Sequence, residues 1–300
     1  MDKFLTLMKY EVLSAKRERL PQILLFIFLV MTALSCFIGW ATNHTVTNVY
    51  NEAVRQGITK ATNPFTGVTP LFYARNTVIY IVLIGALLAI ILGVQSIVRE
   101  RKARTSDLLL SRPIPVAMYL AAKLAGVAMW LLLVLIISAI INWASIGFIS
   151  HHVLSLDNTL HLSAFYGLAW LFLLTFITLG MLGGIYARKE TSALLVPVII
   201  WSAIVFVIPQ LGTAEHPVSL LNPVPAHIAS HGFFFQVNQT IFGPLSLTEH
   251  FKTASGAILH YSDSQGSVWK SLAGVGAFAL TSIVILLITS RSRLRSDLYE

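Results

Sequence analysis

Six apolar stretches, at 21–42, 76–98, 116–149, 163–186, 191–211 and 268–290, decide what this chain can fold into, because each exceeds twenty residues. About 20 apolar residues make a helix that crosses a hydrocarbon core of about 30 Å. In that medium the backbone N–H and C=O groups must bond within their own segment, so the runs read as helices. Only 11% of the 300 residues are charged and mean hydropathy is +0.75, where a soluble domain carries about a quarter charged residues. The expectation is an all-α membrane protein with one transmembrane domain over 1–300 and six spans. Gly85, Gly93, Gly126, Gly180, Gly183, Gly184, Pro197 and Pro209 interrupt the runs, which membrane helices tolerate better than soluble ones. The third run, 34 residues, is too long for one straight span. Its start near Met118–Lys123 reads as an extension in which Lys123 snorkels to the headgroups.

Orientation follows from the Lys and Arg count in the connecting segments. Segments 1–20, 99–115, 187–190 and 291–300 hold fifteen, and segments 43–75, 150–162 and 212–270 hold five. By the positive-inside rule the first set, with both termini, is cytoplasmic. The same asymmetry accounts for the net charge of +8 and removes the argument for a nucleic-acid partner. The one cysteine, Cys36, lies inside an apolar run, so the chain has no disulfide framework and no thiol metal site.

Residues 1–20 place Phe4, Leu5, Met8 and Val12 on one helical face, with Lys3, Lys9, Lys16, Arg17 and Arg19 mostly elsewhere. A basic amphipathic helix of this kind lies at the membrane interface. All nine histidines (His44, His151, His152, His161, His216, His227, His231, His250 and His260) fall in the segments read as external. The last external loop, 212–267, is the largest. Its Pro breaks and the run Phe233-Phe234-Phe235 suggest one or two short helices at, or dipping into, the outer interface.

The most charged run is 98–115, VRERKARTSDLLLSRPIP. Its first half is polar, Leu108-Leu109-Leu110 follow, and Ser111-Arg112-Pro113 stops a helix. A short helix of this composition suits docking into a groove on a partner. An ordinary basic cytoplasmic loop would also carry these charges.

The arrangement resembles the membrane subunits of ABC-2 type transporters. Their matching stretch reads E-R-E-x-G-T, then two apolar residues, then L-L-S-x-P and a later G-K pair. Arg99, Glu100, Arg101, Thr105, Leu108, Leu109, Ser111, Pro113 and Lys123 match it, while Arg104, Asp107 and Ala122 depart from it. In layout the chain is similar to the permeases that serve nitrous oxide reductase maturation and to bacterial export permeases. The resemblance implies a dimer of permeases, expected here as a homodimer, bound to cytoplasmic ABC ATPase subunits in a bacterial inner membrane. It also implies a coupling helix between spans 2 and 3 that takes force from the ATPase. The residues expected to carry coupling are Arg99, Glu100, Arg101, Lys102, Arg104, Thr105, Asp107, Leu108, Leu109 and Ser111.

The chain contains no G-x-x-x-x-G-K-[ST] phosphate cradle, so the expectation is that it binds no cofactor itself and that ATP and Mg sit on the partner ATPase. The leading reading is a non-catalytic permease that exports an amphipathic or lipid-like substrate, because the spans look free of buried charge. A second is a mechanotransmitter that passes ATP-driven motion to a periplasmic partner resting on 212–267, with nothing transported. A third, an integral membrane enzyme, would need ionisable pairs inside the spans, where only polar residues such as Asn142, Ser138 and Thr175 stand out. Asn142 reads as an interhelical hydrogen bond. His227 and His231 share a helical spacing and His151-His152 are adjacent, but neither pair has a cysteine or carboxylate at a recognised metal-ligand spacing.

Overall fold

A computed structural model of the chain describes residues 2–59, 69–102, 115–150, 153–187, 189–213, 233–260 and 268–296. Among these residues the regular structure is entirely helical. A short N-terminal helix, α1 (Asp2–Ala15), precedes α2 (Arg19–Arg55). There follow α3 (Pro70–Lys102), α4 (Val116–Ser150), α5 (Leu156–Tyr186) and α6 (Glu190–Leu211). Two shorter helices, α7 (Phe233–Phe242) and α8 (Leu247–Ile258), come before α9 (Val268–Ser296). Six of the helices, α2 to α6 and α9, are long and apolar enough to cross a membrane.

The helices run past the apolar stretches where local chemistry lets them. α2 continues through the polar residues 43–55 and stops only at Gly57, whose φ of 72° opens the left-handed region. The Gly57 N–H donates to Val54 and the Ile58 N–H to Ala53, at 3.1 and 2.9 Å. This double bond pattern is the Schellman stop, and it satisfies carbonyls the helix end leaves open. α5 begins seven residues before its apolar run because Ser155 caps it, accepting from the Asn158 N–H at 3.2 Å. The 34-residue third run is a single helix, with its basic end packed against protein.

Two helices form the centre. Of their most apolar windows, 72% of residues in α5 and 67% in α3 are buried, against 17% in α9. They meet backbone to backbone at two glycines. A Cβ at Gly93 would overlap the Ile177 carbonyl, and one at Gly180 would overlap the Ile90 carbonyl. Small residues that let backbones approach this closely are how membrane helices gain packing without a hydrophobic drive between them. Around this pair, α1 packs on α4, α2 on α3 and α4, α6 on α3 and α5, and α9 on α5 and α8.

The helix α8 lies well inside the bundle. Its Phe251 is fully buried and stacks on Phe172 with centroids 4.4 Å apart, and on Phe165 at 6.3 Å. Phe172 is sixteen residues from the start of α5, about 24 Å along the axis. Part of 212–267 therefore packs deep among the spanning helices, through α8 rather than through the 233–235 aromatic run on which the expectation rested.

Candidate functional site

Four consecutive charged residues close α3, and each grips a different neighbour. Successive residues of an α-helix are about 100° apart, so Arg99, Glu100, Arg101 and Lys102 point around its whole circumference. Arg99 donates to Glu11 of α1 at 2.5 Å and to Glu18, the residue capping α2, at 2.8 Å. Glu100 takes Lys123 of α4 at 2.6 Å and accepts from the Tyr119 hydroxyl. Arg101 donates to the carbonyls of Gly184 and Ala187 at 2.7 and 2.6 Å, which caps the C-terminal end of α5. Lys102 reaches Glu190 at the start of α6, at 2.6 Å.

Behind this ring the charge is deeply buried. Glu11, Glu100 and Lys123 are 1%, 3% and 2% exposed. Lys123 is held by Glu100, by Glu11 at 3.1 Å and by the Ser96 carbonyl at 2.6 Å, so its three ammonium protons all have acceptors. Gly126 makes room for this arrangement, since a Cβ there would lie 2.6 Å from the Glu11 Cβ. Glu11 and Glu100 balance Arg99 and Lys123. A buried ion is tolerable only when it is paired and hydrogen-bonded, as Lys123 is here.

Two expectations are corrected here. Lys123 does not snorkel to the headgroups but turns inward, because two carboxylates and a carbonyl wait for it there. The spanning helices are not free of buried charge either, since α3 and α4 each contribute a buried ion to one pair. Glu11, Glu18, Tyr119 and Ser96 belong to the site and escaped the sequence reading. A signal for one of them existed. Glu11 is three residues from Met8 and seven from Phe4, which places an acid on the apolar stripe of α1. Of the residues expected to carry coupling, Arg99, Glu100, Arg101 and Lys102 come together at the end of α3. Arg104, Thr105, Asp107, Leu108, Leu109 and Ser111 lie outside the described residues.

A second polar layer, without charge, joins the helices nearer their middle. The Asn142 amide donates to Thr77 at 3.1 Å and to the Tyr166 hydroxyl at 2.8 Å, and its oxygen accepts from Cys36 at 3.2 Å. Ser138 bonds Tyr166 at 2.9 Å and Thr32 at 3.2 Å, while Ser35 bonds Thr77 at 3.0 Å. The interhelical role expected of Asn142 is thus found, and the layer ties α2, α3, α4 and α5 together.

Two segments are π-helical, Ile81–Gly85 in α3, which lies between Thr77 of the uncharged layer and Ser96 of the charged one, and Ala203–Val207 in α6. Each presents a backbone carbonyl to a side chain from another helix. The Trp201 indole of α6 donates to the Val82 carbonyl, and the Thr248 hydroxyl of α8 donates to the Ile204 carbonyl, both at 3.3 Å. α3, α6 and α8 are therefore linked in series through irregular backbone, a feature found often at functional positions.

The histidines are scattered. The His161 and His260 rings are 4.5 Å apart at their centroids, and the His161 Nδ1–H donates to the Asp157 carbonyl at 2.9 Å. His151, His152, His216, His227 and His231 lie outside the described residues. Among those described, no group of three His, Cys, Asp or Glu side chains converges as a metal site would require.

The family model described as ABC-2 family transporter protein matches residues 5–298, a span that takes in every residue named in the site. No curated protein matches the chain.

Proposed function

Because this chain belongs to the ABC-2 transporter family, we propose that the charged end of α3 is where the motion of a separate ABC ATPase enters the permease. The protein is a multi-pass membrane component of a transporter, and the family implies an ABC ATPase partner in general. In our reading the basic end of the bundle is cytoplasmic, by the positive-inside rule. ATP and Mg sit on the partner, and 98–113 docks on it. The permease works in a bacterial inner membrane as a homodimer and exports an amphipathic or lipid-like substrate. The chain itself carries no catalysis.

The observation that carries this reading is the four-way grip of Arg99, Glu100, Arg101 and Lys102 on α1, α4, α5 and α6. A load applied just beyond Lys102 would be shared at once by four neighbouring helices. The buried charge at the basic end also narrows the substrate argument. What favours a greasy substrate is then the remainder of the spans, where the buried polar groups described, such as Asn142 and Tyr166, are uncharged.

A charge reversal at Arg101 and Arg104 tests coupling. In the reconstituted complex, the double variant Arg101→Glu/Arg104→Glu inserts normally and its ATPase continues to turn over. ATP-dependent uptake of a fluorescent amphiphile into inverted vesicles falls to background. Unchanged uptake would sink the proposal.

A second reading, transmission of motion to a periplasmic partner without transport, draws on the series of bonds from Val82 through Trp201 and Ile204 to Thr248. This route leads from the helix that receives the load to α8, within 212–267. A periplasmic protein that co-purifies with the complex, and leaves when Thr248 is changed to Val, would favour it over export.

A further inference from the structure

On the lateral face of the bundle α4 and α5 separate into a cleft of about 410 Å³, within the range of pockets that take small ligands. Leu132, Leu135, Ile136, Ala139 and Ile140 line one wall, and Leu162, Tyr166 and Gly167 line the other. Trp143, Thr159 and Ser163 stand toward the end where α4 finishes and α5 begins. Its mouth faces sideways, where Ile136, Ile140 and Trp143 are 46%, 60% and 40% exposed. Both helices are among those long and apolar enough to cross a membrane, so this mouth opens toward acyl chains.

The polar groups around the cleft are already engaged. The Trp143 indole donates to Thr159 at 3.3 Å, the Thr159 hydroxyl donates to the Ser155 carbonyl at 3.0 Å, and Ser163 donates to the Thr159 carbonyl at 2.8 Å. The Tyr166 hydroxyl is held by Asn142 and Ser138 in the uncharged layer. An occupant carrying a hydroxyl or amide into the cleft would leave that group unpaired in an apolar site, at a penalty. A hydrocarbon tail meets no such penalty and gains by dispersion contact with the walls. Trp143 lies near the end of α4, where an indole suits the level of lipid headgroups.

We propose that this cleft binds one acyl chain of a membrane lipid, with the headgroup near Trp143 and Thr159 and the tail running down between Leu135 and Gly167. The site goes beyond the coupling function, since it requires neither an ATPase nor a transported substrate.

Gly167 supplies a test that leaves the fold alone. A Cβ there meets nothing within 4 Å, so Gly167→Leu fills the cleft without backbone strain, and it also removes a helix-weakening glycine. The experiment uses the full chain in nanodiscs containing a phosphatidylethanolamine with a diazirine on its acyl chain. Photolysis is followed by peptide mapping. Cross-links should concentrate on 132–143 and 159–167, and Gly167→Leu should lower them about tenfold, the effect of displacing as few as two methylenes. Cross-links spread evenly over all lipid-facing helices would overturn the proposal, as would an unchanged yield in the variant. Efficient disulfide formation between copies carrying Ile140→Cys would also overturn it, by showing that a second copy covers the cleft.

Discussion

The two buried polar layers solve the same problem with different chemistry. The charged layer at the basic end uses Glu11, Arg99, Glu100 and Lys123, and the uncharged layer uses Cys36, Thr77, Ser138, Asn142 and Tyr166. Both tie α3 to α4, the charged layer adding α1 and the uncharged layer adding α2 and α5, and every group just named has a partner. In the uncharged layer the bonds are redundant: Tyr166 keeps Ser138 if Asn142 is lost, and Thr77 keeps Ser35. In the charged layer Lys123 is, among the described residues, the cation that touches both buried carboxylates. Without it Glu11 keeps Arg99 and Glu100 keeps the Tyr119 hydroxyl, but one buried negative charge is no longer balanced. The neutral layer sets how the helices sit. The charged layer makes the end of α3 inseparable from its neighbours, at the point where the chain leaves for 103–114.

Breaking each layer in turn should reveal that difference. Lys123→Met leaves Glu11 and Glu100 short of their shared cation and should cost about 3–5 kcal/mol of stability, read as a large loss of thermal midpoint in detergent. Asn142→Leu is equally buried but should cost only about 1–2 kcal/mol, in the range measured for interhelical hydrogen bonds in membranes. A loss at Asn142 equal to that at Lys123 would erase the distinction. Arg101→Ala uncaps α5 at a solvent-facing edge and should cost about 0.5–1 kcal/mol. Glu190→Ala removes the partner of Lys102 from a pair whose side chains are 51% and 61% exposed, and should cost below about 0.5 kcal/mol. Hydrogen exchange at the ends of α5 and α6 would resolve these smaller effects.

Much of the bundle is legible in the sequence because a membrane imposes length and composition directly. Six runs of sufficient length become six helices of sufficient length, and Asn142, polar within an apolar run, bonds across helices as its position implies. What could not be read is whatever depends on contacts distant in sequence. Lys123 meets Glu11 across 112 positions and Arg101 meets Gly184 across 83, and nothing local announces either partner. Glu11 is the exception, since an acid on an apolar stripe needs a buried cation. The π segments at Ile81–Gly85 and Ala203–Val207 have the same apolar composition as regular helix, so their open carbonyls appear only with Trp201 and Thr248 in place. Arg99 to Lys102 were recognisable as charged residues of a family-like stretch. Their separate directions follow from the helical rotation only once the neighbours are known.

The most direct test of the claim that load enters through the end of α3 compares one member of each layer. Spin labels at Val153→Cys and Trp269→Cys, exposed positions at the end of the bundle away from α1, report its motion in the complex reconstituted with its ATPase. The distance between them is measured by double electron–electron resonance with and without ATP and vanadate. The ATP-dependent distance change should be retained in Asn142→Leu and lost in Arg99→Gln, while both variants still hydrolyse ATP. An Arg99→Gln variant whose distances change as in the unaltered chain would contradict the account.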